Sequence, residues 1–292
     1  MSYWVAVVAR NAADHISATL QSLLDQTLQP TKIIVVNDGS SDDTREIVTK
    51  YLQGHRIVQL VNRPDNGYDI RRVPSNLNVA LDSVREGSDY VMISGDDCVY
   101  PPSYVQSILE RMGRDAAIVV ASGCPSHFGL SSVERSPSGS GRVVRTNFLR
   151  RVGKFPVRAG WEAWLLYKAG QEGFRTQLFS DLVYAHVRPR GSTHRFTYWG
   201  AAMHTLGYHP LYALGRIVRN LIKNASVKSA LGLLTGYLNA ALGSSDPFMA
   251  PFDSSLRKYV RATQGKEIAR VVSSKLGIVV NCELVDDRHL PT

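Results

Sequence analysis

Over the first 125 residues, short apolar runs alternate with segments whose apolar positions recur at helical spacing. Tyr3 to Val8 is a compact apolar run rich in β-branched residues, and it predicts a buried strand. Ile16, Leu20, Leu23 and Leu24 then fall on one stripe of an amphipathic helix. After Pro30, Lys32 to Asn37 reads as a second strand, and Ser41-Asp-Asp-Thr44 offers capping side chains to a helix with Ile47, Val48, Tyr51 and Leu52 on its apolar face. Arg56 to Val61 is a third strand. A polar loop from Asn62 to Pro74 leads into a helix that faces inward through Leu77, Leu81 and Val84. Tyr90 to Ser94 is a fourth strand, ending at Gly95-Asp96-Asp97; Pro101-Pro102 opens another helix, and Ala116 to Ala121 is a strand again.

Strands separated by helices of this length predict βαβ units and a mainly parallel sheet flanked by helices, an α/β fold. Ligands bind such sheets outside the carboxyl ends of the strands. That rule singles out Ala9-Arg10-Asn11, Asn37-Asp38-Gly39-Ser40 and Gly95-Asp96-Asp97. No GxGxxG or Walker A pattern follows any strand, which argues against a dinucleotide oxidoreductase or a P-loop NTPase.

Beyond Gly191 the strand signals fade. Pro210 opens a helix with Leu211, Leu214, Ile217, Val218 and Leu221 on one side. Val227 to Leu242 is helical and apolar nearly all round, with Gly232 and Gly236 one turn apart. Ser254 to Leu276 reads as one or two basic amphipathic helices interrupted near Gly265. Charge sharpens this division. The chain of 292 residues carries a net +9, and residues 188–275 hold thirteen basic against three acidic side chains. The last third therefore holds the whole excess, which fits an anionic membrane surface as partner, or charged faces packed over the core. No nucleic-acid-binding module accompanies the charge, so no nucleic acid partner is expected. Three scattered cysteines, Cys98, Cys124 and Cys282, exclude a disulfide framework and a Cys-rich zinc site. The start shows no basic run leading into an apolar one, and no apolar stretch reaches spanning length, so a cytoplasmic chain is expected.

Two carboxylates at the end of a buried strand, Asp96 and Asp97, are costly unless a cation neutralises them, and Mg2+ or Mn2+ beside a substrate diphosphate suits them. On a regular strand adjacent side chains point to opposite faces, so one ion would take only one of the two directly. Arg188, two residues after His186, has the chemistry of a bidentate phosphate donor. Arg71 and Arg72, ahead of Pro74-Ser-Asn-Leu-Asn78, read as a solvated basic loop or as an anion contact, and the sequence does not choose between the two arginines. The Gly-rich stretch from Ser136 to Arg142 reads as a mobile loop or as a connector.

In their combination and order, Val7-Val-Ala-Arg-Asn11, Leu20 to Gln26, Ile34-Val-Val-Asn-Asp-Gly-Ser-Ser-Asp42, Ile93-Ser-Gly-Asp-Asp97 with Pro101, and Gly160-Trp-Glu-Ala-Trp164 through Gly173-Phe-Arg175 resemble the inverting family-2 glycosyltransferases of GT-A fold. The resemblance runs over roughly residues 3 to 190. It implies a Rossmann-like GT-A domain over 1–190, with a nucleotide-sugar half to about residue 100 and an acceptor half from about 101, followed by a basic helical region over 191–292. It implies that Ala9, Arg10, Asn11, Asp38, Arg72, Gly95, Asp96 and Arg188 surround a UDP- or GDP-linked sugar. Asp96 is the metal ligand by the family register, with His186 and Asp97 beside it. Glu162 stands where the family has its catalytic aspartate and would act as base if burial raised its pKa. Trp161 and Trp164 would wall that base and stack on an acceptor sugar. Ser94 replaces the first aspartate of the family's DXD pattern. The implied activity is metal-dependent inverting transfer to a glycan or lipid-linked acceptor, cytoplasmic or peripheral on the inner membrane face. A polyprenyl-phosphate hexose synthase, a nucleotidyltransferase and a non-catalytic peripheral membrane protein are the alternatives.

Overall fold

A computed structural model of the chain describes residues 1–83, 87–126, 136–188, 194–224 and 227–275; Val84, Arg190, Leu276 and Cys282 lie outside them. The chain forms two compact units. The first comprises Met1–Pro156 and residues 173–188, the second Val157–Glu172 and residues 194–275. The boundary expected at residue 190 therefore misses one exchange, because residues 157–172 go with the C-terminal helices.

In the first unit, β1 (Tyr3–Ala9), β2 (Lys32–Asn37), β3 (Val58–Asn62) and β4 (Tyr90–Gly95) are parallel and ordered β3-β2-β1-β4. The helices α1 (Ile16–Leu24), α2 (Thr44–Gly54) and α3 (Arg72–Asp82) connect them. β1, β2 and β4 are buried almost end to end, as continuous Val/Ile runs are when helices cover both faces of a parallel sheet. α2 begins beside the expected polar cluster: the Asp42 carboxylate accepts from the Thr44 N–H at 3.1 Å. α3 begins two residues before Pro74, so Pro74 lies in the first turn, where a missing N–H costs nothing.

The sheet then continues less regularly. α4 (Tyr104–Arg114) leads into β6 (Ile118–Pro125), and β7 (Arg142–Arg145) runs antiparallel between β4 and β6. α5 (Thr146–Val152) follows β7. β8 (Arg175–His186) pairs parallel with β6, and the two-residue β5 (Cys98–Val99) pairs antiparallel with β8. Beneath this half, Tyr100, Tyr104 and Tyr184 pack ring to ring in the core. The Gly-rich stretch from Ser136 is anchored to them, not loose. The Tyr104 hydroxyl donates to the Gly141 carbonyl at 2.8 Å, that of Tyr184 to the Ser140 carbonyl at 2.7 Å, and Arg142 Nε to the Ser138 carbonyl at 2.8 Å.

The second unit is helical: α6 (Trp161–Gln171), α7 (His194–Thr205), α8 (Pro210–Asn224), α9 (Val227–Ala241), a 3-10 turn at Pro247–Met249, and α10 (Ser254–Lys275). α10 runs unbroken through Gly265, where a break was expected. α7 and α9 approach closely because Gly200 leaves room for the Leu233 backbone and Gly236 for that of Thr197. α6 packs on α10, where Gln264 donates to the Tyr167 hydroxyl at 3.1 Å. Among the described residues no helix is long and apolar enough to cross a membrane.

Candidate functional site

The strand order reverses beside β1: β2 and β3 lie to one side, β4 to the other. The crevice at the carboxyl ends of β1 and β4 is thus the switch point where such sheets bind ligands. Arg10, just past β1, crosses it by donating its N–H to Asp96 Oδ2 at 3.1 Å. The Arg10 guanidinium turns the other way, onto the carbonyls of Asp38 and Gly39 and the Asp65 carboxylate at 2.7 Å. Asn11 takes a left-handed backbone (φ 47°), which Asn tolerates, and its side chain accepts from the Ser41 N–H at 2.9 Å. The Ala9 carbonyl accepts from the Asp38 N–H at 2.9 Å, fixing the start of the second turn.

Asp38 is buried and paired. Arg72, in the first turn of α3, donates Nε to Oδ1 and Nη2 to Oδ2, each at 3.0 Å, a two-pronged pair. The choice left open between the two arginines is thereby described: Arg72 faces Asp38, while Arg71 pairs with Asp69 at 2.8 Å. Gly39 is needed for more than its positive φ of 64°, since an added Cβ would strike the backbone of Pro64 and Asp65.

β4 ends at Gly95, so Asp96 and Asp97 lie in a turn and strand alternation does not separate them. Both face one guanidinium: Arg188 Nη2 is 3.7 Å from Asp96 Oδ1, and its Nε is 3.8 Å from Asp97 Oδ2. An added Cβ at Gly95 would press on Asp97 Oδ1 at 2.9 Å. Burial pushes the Asp96 carboxyl up to about 6, against the opposing Arg188 charge and with help from that of Asp97. Ser94 is buried and turns inward to the Tyr100 hydroxyl at 2.9 Å.

Asp97, Cys98 and His186 each offer an atom to a group whose members all lie within 4.8 Å of one another. Their meeting follows from register, because Cys98 stands directly opposite His186 in the β5–β8 pair. His186 Nε2 lies 3.6 Å from Asp97 Oδ1, and the Cys98 thiol donates to the same oxygen at 3.6 Å. His186 Nδ1 is 3.0 Å from the Arg188 carbonyl, which only accepts, so the ring proton belongs on Nδ1. Nε2 is then the ring atom turned to the carboxylate oxygen, and as a neutral imidazole it would offer a lone pair to a cation held between the two. This donor set fits Mn2+ or a softer ion better than Mg2+, which prefers oxygen alone. Asp96, the ligand expected from the register, lies outside the triplet. Cys98 was not among the sequence candidates, since only the two-residue strand brings it opposite His186.

In the second unit Glu162 occupies the first turn of α6, behind Gly160 as N-cap with φ 90°. It is exposed, so the burial expected around it is not there. Trp161 is half-buried, and Trp164, only 8% exposed, has its ring largely covered and offers little face for stacking on a sugar.

The family described as "Glycosyl transferase family 2" matches residues 4–170. The chain is 31% identical over 100 residues to YibD of Escherichia coli (strain K12), an uncharacterized glycosyltransferase; this covers 34% of the chain and 27% of YibD. It is 26% identical over 114 residues to the chondroitin synthase of Pasteurella multocida, covering 39% of the chain and 11% of the synthase. The matched stretch thus spans less than a third of either relative. Among solved structures, the chain is similar to the mannosyltransferase PcManGT from Pyrobaculum calidifontis in complex with GDP-Man and Mn2+, with TM-score 0.58 at 19% identity over 94% of this chain and 87% of that one. It is also similar to S. aureus TarS 1-349 in complex with UDP-GlcNAc, with TM-score 0.53 at 16% identity over 98% and 95% of the two chains. The fold is that of the GT-A glycosyltransferases, and by the extent of the family match the chain belongs to glycosyl transferase family 2.

Proposed function

We propose that the chain transfers a sugar, with inversion, from a nucleotide diphosphate sugar to a glycan or lipid-linked acceptor at the cytoplasmic face of a membrane. The observation that carries this is the meeting of Asp97, His186 and Cys98 beside Asp96 and Arg188 at the end of β4. Asp97 and His186, with Cys98 in reach, would hold Mn2+ or Mg2+, which when bound neutralises charge on the departing diphosphate. PcManGT and TarS bind GDP-Man and UDP-GlcNAc, which supports a nucleotide sugar as donor here. Asp38, oriented by Arg72, accepts hydrogen bonds from the nucleoside. Arg188 now balances both aspartates, and a divalent ion there frees its guanidinium for a phosphate oxygen. Glu162 takes the acceptor's proton where the acceptor is a hydroxyl.

Thermal shift and calorimetry with UDP- and GDP-sugars, with and without Mn2+, test the donor. A ligand at a hundredfold its Kd adds about 2.7 kcal/mol of stability. The gain should appear with one nucleotide class, depend on Mn2+, and vanish in Asp97→Asn and in His186→Ala. Absence of any nucleotide-sugar binding with Mn2+ present rejects the reading. The exposure of Glu162 favours a second acceptor class, a polyprenyl phosphate, which is already anionic and needs no base. Turnover of Glu162→Gln separates the two: a hydroxyl acceptor predicts a fall of about 100-fold, a phosphate acceptor near-normal rates.

A further inference from the structure

α8 and α9 are joined by two residues and pack on each other, and each carries an apolar stripe turned to solvent. On α8 the stripe is Leu211, Leu214, Val218, Leu221 and Ile222, between 40% and 74% exposed. On α9 it is Val227, Leu231, Leu234 and Leu238, with Leu242 just beyond, between 39% and 84% exposed. The spacing of three and four residues places each set on one helix face. This is not the face by which α9 packs: Ala230, Leu233, Gly236 and Ala240 are buried, and Gly236 lies against the Thr197 carbonyl of α7. Ten large apolar side chains exposed on two helices that pack on each other are a concentration, unlike the scattered leucines of ordinary protein surfaces.

Charge says what covers it. α8 carries Arg219 and Lys223, besides Arg216, whose guanidinium lies against Tyr208 and Tyr212, and α9 carries Lys228, while no Asp or Glu occurs anywhere between residues 182 and 245. A second copy docking through this surface would bring cations against cations with no carboxylate on α8 or α9 to match them, and Glu267 of the neighbouring α10 is already engaged by the Tyr212 hydroxyl. A layer of anionic lipid headgroups over hydrocarbon supplies both the missing counter-charge and a home for the leucines. Each helix has 15 residues, too few to cross a bilayer. We infer that α8 and α9 lie in the plane of an anionic membrane surface, the leucine stripes in the acyl boundary and Arg219 and Lys228 at the headgroups. This deepens the membrane placement proposed above and rests on that part of the reading, while the donor part stands apart from it.

The test is sedimentation of the full chain with vesicles of phosphatidylcholine alone or with about 30% phosphatidylglycerol, at low salt and at about 0.5 M NaCl, where surface charges are screened. The expected result is binding to the anionic vesicles, weakened about tenfold or more by high salt and by Arg219→Gln/Lys228→Gln. Leu231→Gln/Leu238→Gln should weaken it as strongly, and Leu214→Gln/Ile222→Gln repeats the test on α8 should the α9 pair fail to fold. All these positions are exposed, so unchanged melting temperatures are expected. Failure of the unaltered chain to sediment with anionic vesicles overturns the inference, as does equal binding to both vesicle types. So does a dimer, seen by light scattering, that the leucine substitutions dissociate, since the occupant is then a second copy. Mn2+-dependent nucleotide-sugar binding, measured by calorimetry on the same variants, should not change, so membrane docking and the transferase reading fail separately.

Discussion

One guanidinium shared between two buried carboxylates leaves the group short of positive charge. Asp96 shows the deficit: its carboxyl, ordinarily at 3.8, is held up at about 6, first by burial, against Arg188 and with Asp97 adding to it. The folded chain therefore binds this proton more tightly than the unfolded chain does. Asp96 costs nothing below about pH 4, and its charge opposes folding increasingly as pH rises through 6, by up to about 3 kcal/mol. Calorimetric melts in EDTA should show stability falling between pH 4 and 7, and Asp96→Asn should flatten that fall and melt at or above the unaltered chain at pH 7.5. A steeper loss in the variant would contradict this account. Asp38 is the opposite case, a buried carboxylate fully matched by Arg72. Arg72→Gln strands that charge and should cost about 3–5 kcal/mol in chemical denaturation. Asp38→Asn/Arg72→Gln should cost clearly less than Arg72→Gln alone, because nothing charged is left unpaired.

At the scale of elements, what the sequence revealed depended on how local the cause was. β1, β2 and β4 were legible because a strand covered on both faces writes itself as an unbroken apolar run, and Asp38, Asp96 and Asp97 were legible because they end such runs. β7 is two valines between two arginines, β5 is two residues, and β8 mixes exposed and half-buried positions, so none shows a period. What those strands build was hidden with them: the Cys98–His186 pairing exists only in the β5–β8 register. The Asp38–Arg72 pair joins residues far apart in the chain through a loop with no pattern. Glu162 was found by motif, but its exposure follows from packing that the motif does not encode. The α7–α9 contact was half legible, since Gly236 stood out in an apolar helix while Gly200, which meets the Leu233 backbone from α7, did not. A methyl group at Gly236 would fall inside contact distance of the Thr197 carbonyl, which is backbone and cannot turn aside. Gly236→Ala gains helix propensity of about 1 kcal/mol, yet the forced separation of the two helices should outweigh it, with a net loss of about 1–3 kcal/mol. Gly215→Ala on α8, where an added Cβ meets nothing, is the control and should stabilise.

For the whole molecule, chain order and spatial units disagree in a way that makes the C-terminal region hard to remove. The basic last third reads as an appendage to a transferase domain, and a cut near residue 190 is the obvious truncation. Yet α6 lies on the N-terminal side of that cut and belongs with the helices beyond it. Its partners are there: Tyr259 of α10 lies against Gly170, and Gln264 donates to Tyr167. Ala159, just before α6, donates its N–H to the Phe248 carbonyl at 2.7 Å, and its carbonyl accepts from the Thr205 hydroxyl at 2.7 Å. Trp164, Leu165, Leu166 and Tyr167 are all buried in the full chain. Re-exposing much of that surface forfeits about 1.5–3 kcal/mol for each large side chain, and the sum rivals the 5–15 kcal/mol by which a whole domain is stable. A chain ending at residue 190 should therefore aggregate, or remain compact without fixed packing, with near-UV dichroism lost while far-UV signal persists. A soluble 1–190 fragment with full near-UV signal and a cooperative melt would show that α6 finds enough cover without the helices that follow it.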